Sequence, residues 1–151
     1  MCGRIKAMVL GAAALALLAG GSALQSRADD KAKHEAHHAH FMACAKACAD
    51  CMRECESCAH HCVHLVADGK KEHLKTAGTC CDCPEFCDAA AKVTSRHGPM
   101  AVLSCEACAK ACDACGSECE KYPDDEHMKR CAKACRDCAK ACREMVEMVK
   151  K

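Results

Sequence analysis

Residues 44–62 read CAKACADCMRECESCAHHC, with cysteine at Cys44, Cys48, Cys51, Cys55, Cys58 and Cys62. The steps between them are 4, 3, 4, 3 and 4 residues. Residues three and four apart share one face of an α-helix, their Cβ atoms roughly 5–6 Å apart. The stretch is therefore a helix carrying the a/d seam of a heptad, with cysteine where leucine normally packs. At a rise of 1.5 Å per residue, the ladder of thiols from Cys44 to Cys62 is about 27 Å long.

The same spacing recurs three times further along the chain. Cys80, Cys83 and Cys87 are separated by 3 and 4 residues; Cys105, Cys108, Cys112, Cys115 and Cys119 by 3, 4, 3 and 4; Cys131, Cys135, Cys138 and Cys142 by 4, 3 and 4. Beyond the N-terminal segment only Cys81 stands outside the scheme. Breaks divide the chain into helical segments. The first is expected over residues 31–67 and ends at Asp68-Gly69, where glycine supplies a left-handed cap. The second is expected over residues 71–96 and stops at His97-Gly98-Pro99, Gly98 suiting the end of one helix and Pro99 the first turn of the next. The third runs to about residue 122, ended by Pro123. Asp124-Asp125-Glu126 open the fourth, placing acids at the positive end of its dipole, and it continues to about residue 150. Pro84 lies inside the second segment, where it removes one hydrogen bond and crowds the Cys80 carbonyl; a kink, or a break over residues 79–84, is expected there. No segment alternates with period two, so no strands are expected. Short connections between long helices favour antiparallel neighbours. The expected fold is all-α, an antiparallel four-helix bundle with a cysteine-lined core.

Composition agrees with a sulfur-filled interior. The 151-residue chain has room for one compact domain. Past Ala28 it holds six Val, three Leu, two Phe and no Ile, too few large aliphatics for an ordinary core. Its apolar content is alanine and cysteine, with 20 cysteines in all.

The N-terminus reads as a targeting signal. Arg4 and Lys6 precede an apolar run from Ala7 to Gly20, and Ser26-Arg27-Ala28 offers a small-x-small cleavage site. The run is too short to span a bilayer, and no twin arginine is present. Residues 1–28, with Cys2 among them, are expected to be removed, leaving residues 29–151 as an exported, periplasmic metal-binding bundle without membrane contact. Without Arg4, Lys6 and Arg27 the 22 basic residues fall to 19 against 21 acidic ones. No basic stripe interleaved with aromatics survives, which excludes nucleic acid as a partner.

Leucine would pack such a seam better than cysteine, so core packing alone is a poor account of 18 aligned thiols. An exported chain meets oxidising conditions, yet cysteines on successive turns of one helix pair poorly with each other, leaving only cross-helix disulfides. Structural zinc calls for closed tetrahedral sets, usually on turns. Neither ferredoxin spacing nor a C-x-x-C-H haem motif is present. Cu(I) is soft, prefers thiolate and accepts low coordination, so neighbouring sulfurs can hold it and a ladder can share ligands between successive ions. The candidate metal ligands are the 18 seam cysteines from Cys44 to Cys142 named above, and the expected cargo is multiple Cu(I) ions per chain. Zinc or another thiophilic metal, and a disulfide-stabilised structural bundle, stand as alternatives. A thiol oxidoreductase needs a partly exposed, low-pKa cysteine. The seam argues against one, and the absence of a distinct nucleophile, base or cofactor motif leaves no enzyme to expect.

Other residues sit at the margins of the seams. His34, His37, His38 and His40 precede the first ladder and either capture copper at a bundle mouth or form a solvated tail. His60, His61 and His64, near its far end, fit a surface face better than an entrance. Met128 continues the fourth seam below Cys131 and Met145 continues it above Cys142, as end-of-core packing or as soft thioether ligands. Gly116 eases close helix approach.

These motifs resemble the copper storage proteins, a family of cysteine-rich four-helix bundles. The resemblance rests on the C-x3-C-x2-C-x3-C ladders that begin at Cys44, Cys108 and Cys131, on Cys80-Cys81-Asp82-Cys83 followed by Cys87, and on His61-Cys62 ahead of Asp68-Gly69. It covers nearly all of the chain beyond the leader. It implies Cu(I) bound by core thiolates, a role in storage or sequestration, and room for assembly into a homo-oligomer. Cys81 and Pro84 depart from the pattern.

Overall fold

Alanine-rich segments poor in β-branched residues surround each cysteine seam, and they fold as helices. The computed structural model describes residues 19–150. Its elements are α1 (Ala19–Ala67), a short 3-10 turn (Lys71–His73), α2 (Leu74–Ser95), α3 (Ala101–Cys119) and α4 (Glu126–Lys150), with no strand among the described residues. The chain divides into two units. Residues 19–36 belong to the first, helical throughout and exposed from Gln25 onward. Residues 37–150 belong to the second, the bundle. Of the expected leader, residues 1–18, with Cys2, lie outside the described residues, and Ser26-Arg27-Ala28 is exposed on α1. Among the described residues no helix is long and apolar enough to cross a membrane.

The turns between helices follow the sequence with local corrections. Gly69 closes α1 at φ +91°, where its N–H reaches the Val66 carbonyl and that of Lys70 reaches Leu65. After α2 the left-handed residue is His97, at φ 52°, and not Gly98. Gly98 instead returns its N–H to the Val93 carbonyl at 3.0 Å, and a Cβ there would stand 3.1 Å from Val93 Cγ1. Pro99 sits in the turn ahead of α3, outside its first helical turn. α2 runs through Pro84 without a break, the proline ring buried in the core. Asp125 caps α4: its Oδ1 accepts the backbone N–H of His127 at 2.9 Å and of Met128 at 3.2 Å.

Burial follows the seams. All 18 seam cysteines are buried, none more than 2% exposed, whereas Cys81 is exposed on the outer face of α2. Alanines beside the seams (Ala45, Ala59, Ala109, Ala132 and Ala139) complete the core and let the helices approach. α3 and α4 approach closely at buried Gly116, where an added Cβ would lie 3.3 Å from Cys135 Cβ and 3.2 Å from the Arg136 guanidinium carbon. Arg136 then spans α3 and α4, donating to Glu120 at 2.7 and 2.8 Å and to Ser117 at 3.0 Å.

Candidate metal centre

The four seams bring their sulfurs into one register. α1 and α3 run parallel, so Cys44, Cys48, Cys51, Cys55 and Cys58 meet Cys105, Cys108, Cys112, Cys115 and Cys119 in order, with Sγ–Sγ distances of 3.6, 4.0, 3.8, 3.9 and 4.0 Å. α4 runs the other way: Cys44 meets Cys142 at 3.8 Å, Cys48 meets Cys138 at 3.7 Å, Cys51 meets Cys135 at 3.8 Å and Cys55 meets Cys131 at 3.7 Å. α2 is antiparallel to α3, with Cys80 3.6 Å from Cys115, Cys83 3.8 Å from Cys112 and Cys87 3.7 Å from Cys108. The interior is thus a continuous column of touching thiols.

Within the column the sulfurs form sets of four whose Sγ atoms all lie within 4.8 Å of one another. Cys48, Cys108, Cys138 and Cys142 form one; Cys51, Cys83, Cys87 and Cys112 another; Cys58, Cys80, Cys119 and Cys131 a third. Two more, Cys51-Cys55-Cys83-Cys135 and Cys55-Cys115-Cys131-Cys135, overlap these and each other. At a metal–thiolate bond of about 2.3 Å, sulfurs stand about 3.8 Å apart on a tetrahedral ion and about 4.0 Å apart on a trigonal one. The observed contacts of 3.5 to 4.0 Å match those spacings with little movement. The overlap matters chemically. Cys51, Cys55, Cys83, Cys131 and Cys135 each belong to two sets, so closed four-thiolate sites cannot all be occupied independently. A metal that accepts few ligands and shares thiolates with its neighbours can use the whole column; one that demands a private tetrahedron is confined to sets such as the first three named, which share no sulfur.

Protons are distributed unevenly along the column. The hydrogen bond between Cys83 and Cys112 holds the Cys83 thiol down to about 6, whereas Cys62 is pushed up to about 12 by its bond with Cys58 and by burial. An ionised thiolate is stabilised by its thiol neighbours, and those neighbours then resist ionising in turn.

At one end of the column, Met128 is fully buried with its Sδ 3.5 Å from Cys58 Sγ and 4.0 Å from Cys62 Sγ, so its thioether joins the sulfur array. Beside it His61 Nε2 meets Asp125 Oδ2 at 2.7 Å and its ring stacks on His127 at 4.3 Å. His73, for which the sequence offers no signal, is buried against Tyr122 at 4.1 Å. At the other end Phe41 is buried and stacked on His97 at 4.5 Å, and Met145 is buried. His34, His37, His38 and His40 are exposed on α1, as are His60 and His64; His61 is half-buried.

The seam of α2 extends further than its cysteines. Thr76 and Thr94 are fully buried and continue the 4/3 stepping through Cys80, Cys83, Cys87 and Ala90, with Thr94 Oγ1 3.4 Å from Cys105 Sγ. Heptad register alone points to both positions, once threonine is admitted beside cysteine.

Comparison with known proteins agrees with this geometry. The family described as copper storage protein matches residues 36–147. The fold is similar to that of a cytosolic copper storage protein from Streptomyces lividans with five coppers, at 34% identity and a TM-score of 0.68, covering 75% of this chain and 97% of that one. It is also similar to the Cu(I)-bound copper storage protein BsCsp3, at 34% identity and a TM-score of 0.65, covering 71% and 98%. The apo form of copper storage protein 3 from Bacillus subtilis is 37% identical, with a TM-score of 0.59 over 69% and 96% of the two chains. No curated protein matches the sequence.

Proposed function

The chain belongs to the copper storage protein family, and on that premise we propose that it binds and stores multiple Cu(I) ions on the thiolates of its bundle core. The observation that carries this reading is the overlap of the four-sulfur sets, because Cu(I) accepts two or three soft ligands and shares them. The ligands are the 18 seam cysteines, with Met128 adding a thioether beside Cys58 and Cys62. Copper passes along the column by exchange between sets that hold a thiolate in common. The role is sequestration, detoxification or supply, without catalysis: the seam thiols are shut away from solvent, where a reactive cysteine would stand partly exposed.

Export to the periplasm follows from Arg4, Lys6, the apolar run from Ala7 to Gly20 and the small residues around Arg27, which together make a secretory leader. The relative from Streptomyces lividans is cytosolic, so the fold itself does not set the address.

An anaerobic Cu(I) titration of the reduced protein against a competing chelator tests the function. Uptake of more than about ten ions per chain is expected, since soft thiolates favour Cu(I). Uptake of a few zinc ions in closed sets, with little copper, would replace this reading with a zinc store.

A further inference from the structure

α1 carries a pair of histidines that the thiol column does not use. His60 and His64 are one helical turn apart on the exposed face, and their Nε2 atoms lie 3.1 Å from each other with the rings nearly perpendicular at 84°. In the absence of metal, one imidazole donates its N–H to the other. An ion could replace that shared proton, and the distance indicates which kind. At a metal–imidazole bond of about 2.0–2.1 Å, two nitrogens at right angles on one ion stand about 2.9 Å apart, whereas two on opposite sides stand about 4.1 Å apart. The observed separation lies between the right-angled spacing of a square-planar ion and the roughly 3.3 Å of a tetrahedral one, and is too short for the linear arrangement that Cu(I) accepts. The i,i+4 spacing on one helix places both rings on the same face, within reach of one ion. Glu56, exposed four residues before His60, stands on the same face and can add a carboxylate, a donor that suits a divalent ion better than a cuprous one.

We propose that His60 and His64 form a surface site for cupric ion, Cu(II), separate from the Cu(I) column. Among first-row divalent ions Cu(II) binds nitrogen and oxygen donors most tightly, and a tetragonal site is its preferred geometry. The protein thus meets both oxidation states of copper with different donors: imidazole outside and thiolate inside.

The test uses the full chain, first saturated with Cu(I) under nitrogen and its copper content measured, so that failure of the column is seen separately from failure of the pair. Cu(II) is then titrated in and followed by electron paramagnetic resonance. A tightly bound equivalent with coupling to two imidazole nitrogens is expected. Replacing either partner, as His60→Ala or His64→Ala, is expected to remove one such equivalent and leave the Cu(I) content unchanged, whereas His127→Ala keeps it. An unchanged number of tight Cu(II) equivalents in His60→Ala, or a spectrum without two-nitrogen coupling in the parent chain, would overturn the proposal.

Discussion

The Sγ of Cys55 lies 3.6 Å from the Sγ of Cys135, and this pair is common to two of the four-sulfur sets. Replacing Cys135 with serine therefore disturbs two sets at once. Cys135→Ser is expected to lower Cu(I) capacity in an anaerobic chelator competition, whereas Cys81→Ser, on the exposed face of α2, is expected to leave it unchanged. Equal capacities in the two variants would contradict the assignment of the column as the store.

Met128 and Met145 occupy corresponding ends of the α4 seam, but only the Sδ of Met128 contacts cysteine sulfurs. Leucine conserves volume well enough to hold the cost in stability below about 1.5 kcal/mol. Met128→Leu is expected to weaken retention of the most easily removed Cu(I), read as faster transfer to a chelator, with Met145→Leu behaving as the parent. Indistinguishable transfer rates would reduce Met128 to packing.

At Gly116 the wall of α4 is too close for a branched side chain, with Cys135 Cβ 3.3 Å from the position a Cβ would take. Overpacking of this kind costs about 1–3 kcal/mol. Gly116→Val is expected to lower the thermal midpoint of the metal-free protein, and an unchanged midpoint would show that the α3–α4 approach is not tight.

Loading is linked to protons. The Cys62 thiol, pushed up to about 12, keeps its proton at neutral pH and must release it when copper binds, so its contribution to affinity grows as pH rises toward that value. Cys83, held down to about 6, is already ionised at pH 7 and begins to resist copper only as pH falls through that value. Cu(I) uptake at pH 7 is therefore expected to release protons, fewer than one per thiolate engaged, and apparent affinity is expected to fall with pH. A weakly buffered indicator assay measures the release, and loading with none would contradict the linkage.

Much of this was legible in the chain because the 4/3 stepping of cysteine names helix, buried face and ligand type together. What escaped it had other causes. The left-handed turn fell on His97 because Gly98 was needed one residue later, where its N–H closes on Val93 and a side chain would crowd Val93 Cγ1. Pro84 did not break α2, whose buried neighbours hold the helix on either side. Thr76 and Thr94 carry no sulfur and so fall outside the cysteine pattern, although they obey the same register. The matching of Cys44 with both Cys105 and Cys142 depends on how parallel and antiparallel seams slide together, which no single segment encodes.

The most direct test of the central claim is anomalous diffraction at the copper edge from crystals of the Cu(I)-loaded protein. A string of copper sites is expected inside the bundle between the level of Cys44 and the level of Met128, successive ions sharing thiolates such as Cys55 and Cys135. Copper confined to surface histidines, or seam cysteines joined as disulfides with no metal between them, would contradict it.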